Sequence, residues 1–164
     1  MVNLKNISCY DENDILWEGK ILVQQNGNFE GIIDSDFINS YMYGNFDIIN
    51  SSIHITKITP ENYPYHIENY IAFQDDNCDR YFGETIDIEG DRHLCSVLVN
   101  DLNINKSLLE SQIKDIEFII EHHKKTMSER YNEYLQSIME RHDEEELNRA
   151  EVRSMKKGKL NYYL

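Results

Sequence analysis

Apolar and polar residues alternate through most of the first hundred positions of the chain. In residues 15–23, Trp17, Ile21 and Val23 fall on one face of an extended chain. Glu18 falls on the opposite face. This period of two is typical of a β-strand with one buried side.

Further segments repeat this pattern, and groups rich in Asn, Asp and Gly separate them. They are residues 29–33, 38–49, 53–58, 67–73, 81–88 and 94–100. Asn26-Gly27 lies between two of the segments and is a strong hairpin signal, because both residues tolerate positive φ. Seven or eight strands joined by short turns predict an antiparallel β-meander, closed into a barrel or folded as a sandwich.

Four glycines, Gly19, Gly31, Gly44 and Gly83, lie inside the predicted strands, each near an aromatic residue. Glycine inside a strand usually marks a bulge or a tight bend, which curves a sheet towards closure. We therefore expect these glycines to shape the wall of the sheet. The alternative is a groove kept open for a ligand.

After Asn105 the apolar period changes to that of a helix. No glycine or proline occurs between Ser107 and Lys157, and Ser107 with Glu110 has the form of a capping box. The predicted fold class is therefore α+β, with an acidic β domain at residues 1–105 and a long C-terminal helix or helical hairpin at residues 106–164, which ends in a basic tail.

One stripe of this helix is apolar, at spacings of three and four residues. Its members are Ile113, Ile116, Ile120, Met127, Tyr131, Tyr134 and Ile138. A helix of this length is longer than a small barrel is wide. It can break near Asp143 and fold back, pair with a second copy in a homodimer through the stripe, or receive a partner.

The charge is concentrated in the first part of the chain. The net charge is −14, and residues 1–105 hold 18 acidic against 5 basic residues. Binding of nucleic acid through this part is not expected, because phosphate contacts need lysine and arginine. Such an excess of negative charge either steers a basic protein partner towards the chain or serves solubility alone.

Acidic residues in the predicted turns are the candidate contacts for such a partner. They are Asp34, Asp36, Asp75, Asp76, Asp79, Glu89 and Asp91. The N-terminus lacks the basic and apolar segments of a signal peptide, and no apolar run approaches the length of a membrane span. Three cysteines without CxxC spacing fit reduced thiols. We expect a cytoplasmic protein without membrane contact.

Catalytic and metal-binding patterns are weak. Asp91, His93 and Cys95 alternate on one strand, but neighbours two apart are nearly 7 Å from each other at a rise of about 3.3 Å per residue, too far for easy bonding between thiol and imidazole. The spacing of Asp75 and Asp79 suggests a calcium loop, but the glycine and glutamate that such a loop needs are absent. We expect no enzyme activity, no cofactor and no metal.

His123 lies in the apolar helix stripe, and we expect a core or interface histidine there.

The phrase LWEGKI followed by a curved meander resembles the calycin-type barrels, which hold small hydrophobic ligands. In that alternative the residues lining the cavity are Trp17, Phe29, Tyr41, Tyr43, Tyr70 and Phe82. The preferred hypothesis is a non-enzymatic cytoplasmic module that binds a basic protein partner through its acidic β domain, in the manner of immunity or inhibitor proteins.

Overall fold

The computed structural model of the chain describes residues 2–12, 14–34, 40–59, 64–75 and 79–162, with side chains described to residue 154. Eight strands precede one helix. They are β1 Asn3–Asp11, β2 Asp14–Val23, β3 Asn28–Ile33, β4 Tyr41–Asp47, β5 Ser52–Thr59, β6 His66–Gln74, β7 Arg80–Asp87 and β8 Arg92–Asp101, followed by α1 Lys106–Tyr162. The predicted α+β fold, an antiparallel meander and then a long helix, is confirmed.

The sheet closes into a barrel in which each strand pairs antiparallel with the next. Closure comes from β1 and β8, where Lys5–Tyr10 lie opposite Ser96–Asp101. Of the two forms that the sequence left open, the barrel is correct. The strand β1 is absent from the segments named from the sequence, because Lys5 and Asn6 interrupt its apolar alternation.

This up-and-down topology gives the barrel two ends. The turns β1–β2, β3–β4, β5–β6 and β7–β8 lie at one end, which we call the first end. The turns β2–β3, β4–β5 and β6–β7 and the link to α1 lie at the opposite, second end. The predicted Asn26-Gly27 hairpin is the β2–β3 turn, and Gly27 there has a φ of 89°.

Two apolar clusters stabilise the unit formed by Met1–Met127. The first fills the barrel interior and includes Trp17, Phe29 and Tyr70. The second joins the outer faces of β1 to β4 to the first part of α1. Its buried members are Leu4, Leu22, Ile32, Tyr41, Ile116 and Ile120. The predicted division at residues 105 and 106 stays a prediction, and the start of α1 packs on the barrel.

The second compact unit is Ser128–Leu164. Its described side chains lie on one helix. Ion pairs form between neighbouring turns of this helix, such as that between Nη1 of Arg130 and Oε2 of Glu133 at 3.3 Å. The helix is continuous through Asp143, so the alternative of a helical hairpin is wrong. Within the described residues, no helix has a stretch apolar enough to span a membrane.

The start of α1 differs from the predicted capping box. The Leu108 amide donates to Oδ1 of Asn105 at 2.8 Å, and the Leu109 amide donates to the Asn105 carbonyl at 2.9 Å. Asn105 is therefore the N-cap, since its side chain accepts from an otherwise unpaired amide of the first turn. Ser107 lies inside the helix.

The strand glycines allow neighbouring strands to approach closely. A Cβ atom at Gly83 would lie 2.6 Å from Cα of Ala72 and would also overlap the carbonyl oxygen of Ile71. The four glycines pair in unbroken register, so of the two expected devices, a bulge or a tight bend, none of the four is a bulge. The register shift of the β1–β2 ladder lies between Cys9 and Tyr10 instead.

Substituting Gly83→Ala will lower the free energy of unfolding by about 3 kcal/mol, because the clash is with backbone atoms that cannot rotate away. Gly90→Ala is the control. Gly90 has a φ of 87° but nothing within 4 Å of an added Cβ, so its substitution will cost only about 1 kcal/mol of conformational strain. Urea unfolding measures both, and equal losses would contradict the steric explanation.

Substituting Asn105→Ala will lower the free energy of unfolding by about 1 kcal/mol, because the first turn of α1 loses its cap. Ser107→Ala will change it by less than about 0.5 kcal/mol, as expected for an exposed position inside a helix. Urea unfolding of both variants tests this assignment. A larger loss of unfolding free energy in Ser107→Ala than in Asn105→Ala would favour the predicted capping box instead.

Candidate functional site

The predicted turn acids do not lie together. Asp34, Glu89 and Asp91 belong to turns at the first end, whereas Asp75 and Asp79 belong to the β6–β7 turn at the second end. All five are exposed. Asp36 and Asp76 lie outside the described residues. The five described turn acids therefore lie at opposite ends of the barrel and do not form one contact surface.

The six predicted ligand-binding aromatics are also divided. Trp17, Phe29 and Tyr70 are buried in the barrel interior. The other three lie on the outer face, where Tyr41 is buried in the cluster beneath α1, and Tyr43 and Phe82 are exposed. Phe29 nevertheless lines one cavity together with Tyr41 and Tyr43, whereas Trp17 and Tyr70 pack against each other inside the barrel.

The helix stripe divides between the two units. Ile113, Ile116, Ile120 and Met127 belong to the cluster on the barrel. The remaining members, Tyr131, Tyr134 and Ile138, belong to the second unit. The homodimer through this stripe stays a prediction.

The row of Asp91, His93 and Cys95 is divided by burial. Asp91 and His93 are exposed, and Cys95 is buried. The neighbour of Cys95 is Cys9, which is also a buried free thiol. The hydrogen bond with Cys95 and burial together raise the pKa of the Cys9 thiol, so this sulfur is protonated at neutral pH.

A series of hydrogen-bonded polar groups runs from the buried Trp17 and Tyr70 to the exposed His66. Trp17 Nε1 donates to the Tyr70 hydroxyl at 3.1 Å, and that hydroxyl donates to Oε2 of Glu68 at 2.5 Å. The other Glu68 oxygen lies 2.9 Å from Nε2 of His66 and 3.8 Å from Nζ of Lys57. The indole nitrogen of Trp17 and the hydroxyl of Tyr70 thus have partners, as buried polar groups require.

The partners of Glu68 decide its charge. Burial raises the pKa of Glu68, but the hydrogen bond from Tyr70, the charge of Lys57 and the bond from His66 outweigh burial and lower the pKa. Burial and the bond to Glu68 raise the pKa of Tyr70. The pair is therefore a carboxylate and a neutral phenol, and its contacts join β6 to Trp17 of β2 and to Lys57 of β5.

Charged and aromatic side chains contact each other on the outer face of this unit, around Glu30. The Tyr41 hydroxyl donates to Oε2 of Glu30 at 2.8 Å, and Nζ of Lys124 lies 2.6 Å from the same oxygen. Tyr41 and Tyr43 have ring centroids 6.0 Å apart. Lys124 also lies 3.8 Å from Oε1 of Glu121. Strand and helix thus place charged and aromatic groups side by side.

Two adjoining cavities surround Glu30, and we call them together the Glu30 groove. The larger has about 480 Å³, and its lining residues are Gln24, Asn28, Phe29, Glu30, Tyr41, Tyr43, Gly44, Asn45, His54 and Thr56. The smaller has about 270 Å³, and its lining residues are Val2, Leu22, Gln24, Glu30, Glu117, Ile120, Glu121 and Lys124. Gln24 and Glu30 line both. The groove holds three carboxylates and one lysine.

Sequence reasoning named Phe29, Tyr41 and Tyr43 of this groove but missed its charged members, because these come together with the aromatics only through register and helix docking. Glu30 lies opposite Tyr43 in the β3–β4 ladder. Glu117, Glu121 and Lys124 share one flank of α1 by their spacing of four and three residues. That spacing, next to the apolar stripe, was the available signal. Among the described residues, no group of three His, Cys, Asp or Glu side chains could hold a metal ion.

Comparisons with protein-family models, with curated proteins and with solved structures found no match. Function has to be inferred from the residues of this chain.

Substituting Glu68→Gln will lower the free energy of unfolding by about 2 kcal/mol at pH 7, because the bonds to a charged acceptor are lost. The pKa of Glu68 is lower in the folded state than in the unfolded state. Its stabilisation is therefore complete above the unfolded pKa and is lost as the pH falls through the folded value. Urea unfolding from pH 7 to pH 3 measures this.

The control is Glu84→Gln, which removes an exposed carboxylate that lies 3.4 Å from Arg92. Its effect will stay below about 1 kcal/mol at every pH. A difference between wild type and Glu68→Gln that does not shrink in acid would contradict the role of the Glu68 charge.

Proposed function

We propose that this protein is a non-enzymatic, cytoplasmic binding module that engages a basic protein partner, and that an arginine or lysine of the partner enters the Glu30 groove. The observation that carries the proposal is the convergence of three carboxylates and only one lysine beside an exposed tyrosine. A cationic side chain would offset part of the negative charge that three carboxylates and one lysine leave in the groove.

The groove supports this proposal by its chemistry. Glu117 and Glu121 are exposed and can accept the paired hydrogen bonds of a guanidinium group. Tyr43 is 45% exposed, and its ring can receive a cation on its face. Gln24 and Asn45 supply amide groups to the rim. Carboxylate, aromatic and amide groups together favour a peptide-like cation over an anion or a nucleic acid.

The turn acids take a different role in this proposal. They lie at both ends of the barrel, so their charge acts at long range and raises the rate of encounter with a basic protein. The contact itself then forms at the groove. Complex formation should accordingly be sensitive to salt, because screening weakens attraction between exposed charges.

Binding of a small ligand inside the barrel is the alternative function, and the barrel topology is compatible with it. The aromatic side chains in the barrel interior argue against a ligand there. Trp17 and Tyr70 pack edge to face with ring centroids 5.6 Å apart, and the Trp17 indole donates a hydrogen bond to the Tyr70 hydroxyl. Small barrels are generally filled by their own side chains. The outer groove is therefore the preferred site.

The test is capture from the source lysate at low and high salt, with mass spectrometry of the eluate. The double substitution Glu117→Lys with Glu121→Lys will weaken capture of a basic protein by about 100-fold, because like charges then face each other. The control is Glu89→Lys with Asp91→Lys, which changes the net charge equally but lies in the β7–β8 turn. It will weaken capture by less than about threefold.

Equal losses in the two double variants would show that net charge alone acts and would contradict a specific groove. Loss only in the turn variant would move the contact to the first end. If wild type retained no basic protein at low salt, the proposed function would be wrong.

A further inference from the structure

Four large apolar side chains are exposed around the β4–β5 turn and the neighbouring β6–β7 ladder, at the second end of the barrel. Ile48 and Ile49, in the turn, are 85% and 95% exposed. Phe73 of β6 and Phe82 of β7 are 54% and 49% exposed, and they lie opposite each other in the ladder. We call these four residues the second-end patch. Single exposed apolar residues are ordinary on a protein surface, but a group of neighbouring ones marks a site of interaction.

Backbone pairing brings the turn and the aromatic pair together. Phe73 lies opposite Ser52, which is the first residue of β5 after the turn. The Gln74 amide donates to the carbonyl of Ser51, within the turn, at 2.7 Å. The backbone of β6 is thus bonded to the turn that carries the two isoleucines.

This turn is held by its own hydrogen bonds. The Asp47 carboxylate accepts from the amides of Ile49 and Asn50 at 3.1 and 3.2 Å, and from the side-chain amide of Asn50 at 2.6 Å. The bonds from Asn50, first from its side chain and then from its backbone, lower the pKa of Asp47, so the carboxylate is charged at neutral pH. A turn that is ordered before binding loses little entropy on contact with a partner.

Exposed acidic residues border the second-end patch. They are Asp47, Asp75 and Asp79, each one to three residues along the chain from a member of the patch. Of the basic residues at this end, Arg80 reaches across β8 to within 4.8 Å of the centroid of the Tyr10 ring, Lys5 pairs with Asp101 at 3.1 Å, and Lys106 begins α1 beyond β8. An anionic membrane would meet repulsion from the bordering acids, and a second copy would bring the same acids. An apolar surface with cations beside it is the complement of this patch.

The patch adjoins the Glu30 groove along the outer face. Asn45 and His54 line the groove and lie opposite each other in the β4–β5 ladder. Three residues separate Asn45 from Ile48, which is about 10 Å at a rise of about 3.3 Å per residue. A stable protein interface covers about 800 Å² on each partner, so a protein with a cation in the groove extends onto the patch.

We propose that the second-end patch binds the apolar face of an amphipathic basic helix of the partner, while a lysine or arginine on the flank of that helix enters the Glu30 groove. Such a helix presents an apolar stripe beside a cationic flank. Its diameter of about 10 Å matches the separation of patch and groove. The inference rests on the proposed function of the groove and names the class of partner segment.

The test uses two synthetic 14-residue peptides of equal charge, each titrated into the full chain. One contains leucine and lysine at helical spacing, so that leucine forms one face, and the other has glutamine in place of each leucine. Fluorescence anisotropy of the labelled peptides measures both affinities. The leucine peptide is expected to bind at least about tenfold more tightly, because it alone can bury apolar surface on the patch.

A double substitution tests whether the patch provides this preference. Ile48→Ser with Ile49→Ser will weaken binding of the leucine peptide at least about tenfold and leave the glutamine peptide within about twofold. The matched control is Ile88→Ser with Leu94→Ser, which removes two side chains, 60% and 77% exposed, near the first end. It will change neither affinity by more than about twofold. All four positions are exposed, so folding is not endangered.

The groove is tested in the same assay by Glu117→Lys with Glu121→Lys, which will weaken both peptides alike. Loss in this variant without loss in the isoleucine variant would overturn the present inference and leave the proposed function standing. Loss in the isoleucine variant alone would contradict the proposed function and retain the patch as the apolar contact.

Other occupants of the patch give different results. Equal binding of the two peptides to wild type, or no binding of the leucine peptide, would overturn the proposal. Self-association in sedimentation, or flotation with phosphatidylcholine vesicles, would also overturn it if the isoleucine variant abolished the effect, since the occupant would then be a second copy or a lipid surface.

Discussion

Antiparallel pairing between β1 and β8 removes both free edges of the sheet. The packing of the side chains, the need for glycine in the strands and the position of the cavities all depend on the closed interior that results. An eight-stranded barrel is just wide enough for its own side chains. Trp17, Phe29 and Tyr70 occupy that space, and glycine is required where strands approach as closely as at Gly83. The cavities around Glu30 accordingly lie on the outer face, where the first part of α1 packs on the barrel.

One helix creates two different surfaces there. Its buried stripe, which includes Ile116 and Ile120, fixes it to the outer faces of the strands. The flank with Glu121 and Lys124 is charged, whereas the flank with Ile119 and His123 is apolar with one unpartnered nitrogen. Because side chains are rotated by about 100° per residue, a shift of a few positions along the sequence separates a charged flank of the helix from an apolar flank.

The sequence predicted most of the fold because one face of each strand is buried, which imposes a period of two. It failed where that pattern is broken by polar residues, as in β1, and where two capping residues compete, since Asn105 prevailed over Ser107. His123 was expected in the core or an interface and is buried, which confirms that expectation. The charged members of the Glu30 groove were beyond prediction, because the contact between Glu30 and Lys124 depends on how the helix docks.

The closing ladder also has a consequence for synthesis of the chain on the ribosome. β1 can pair with β2 early, but its other edge stays open until Arg92–Asp101 has emerged. Contacts so far apart in sequence slow folding, and an open strand edge can pair with another chain. Exchange of the N-terminal strand between two nascent chains is thus the misassembly to which this topology is most exposed, and the crowding of polyribosomes would favour it.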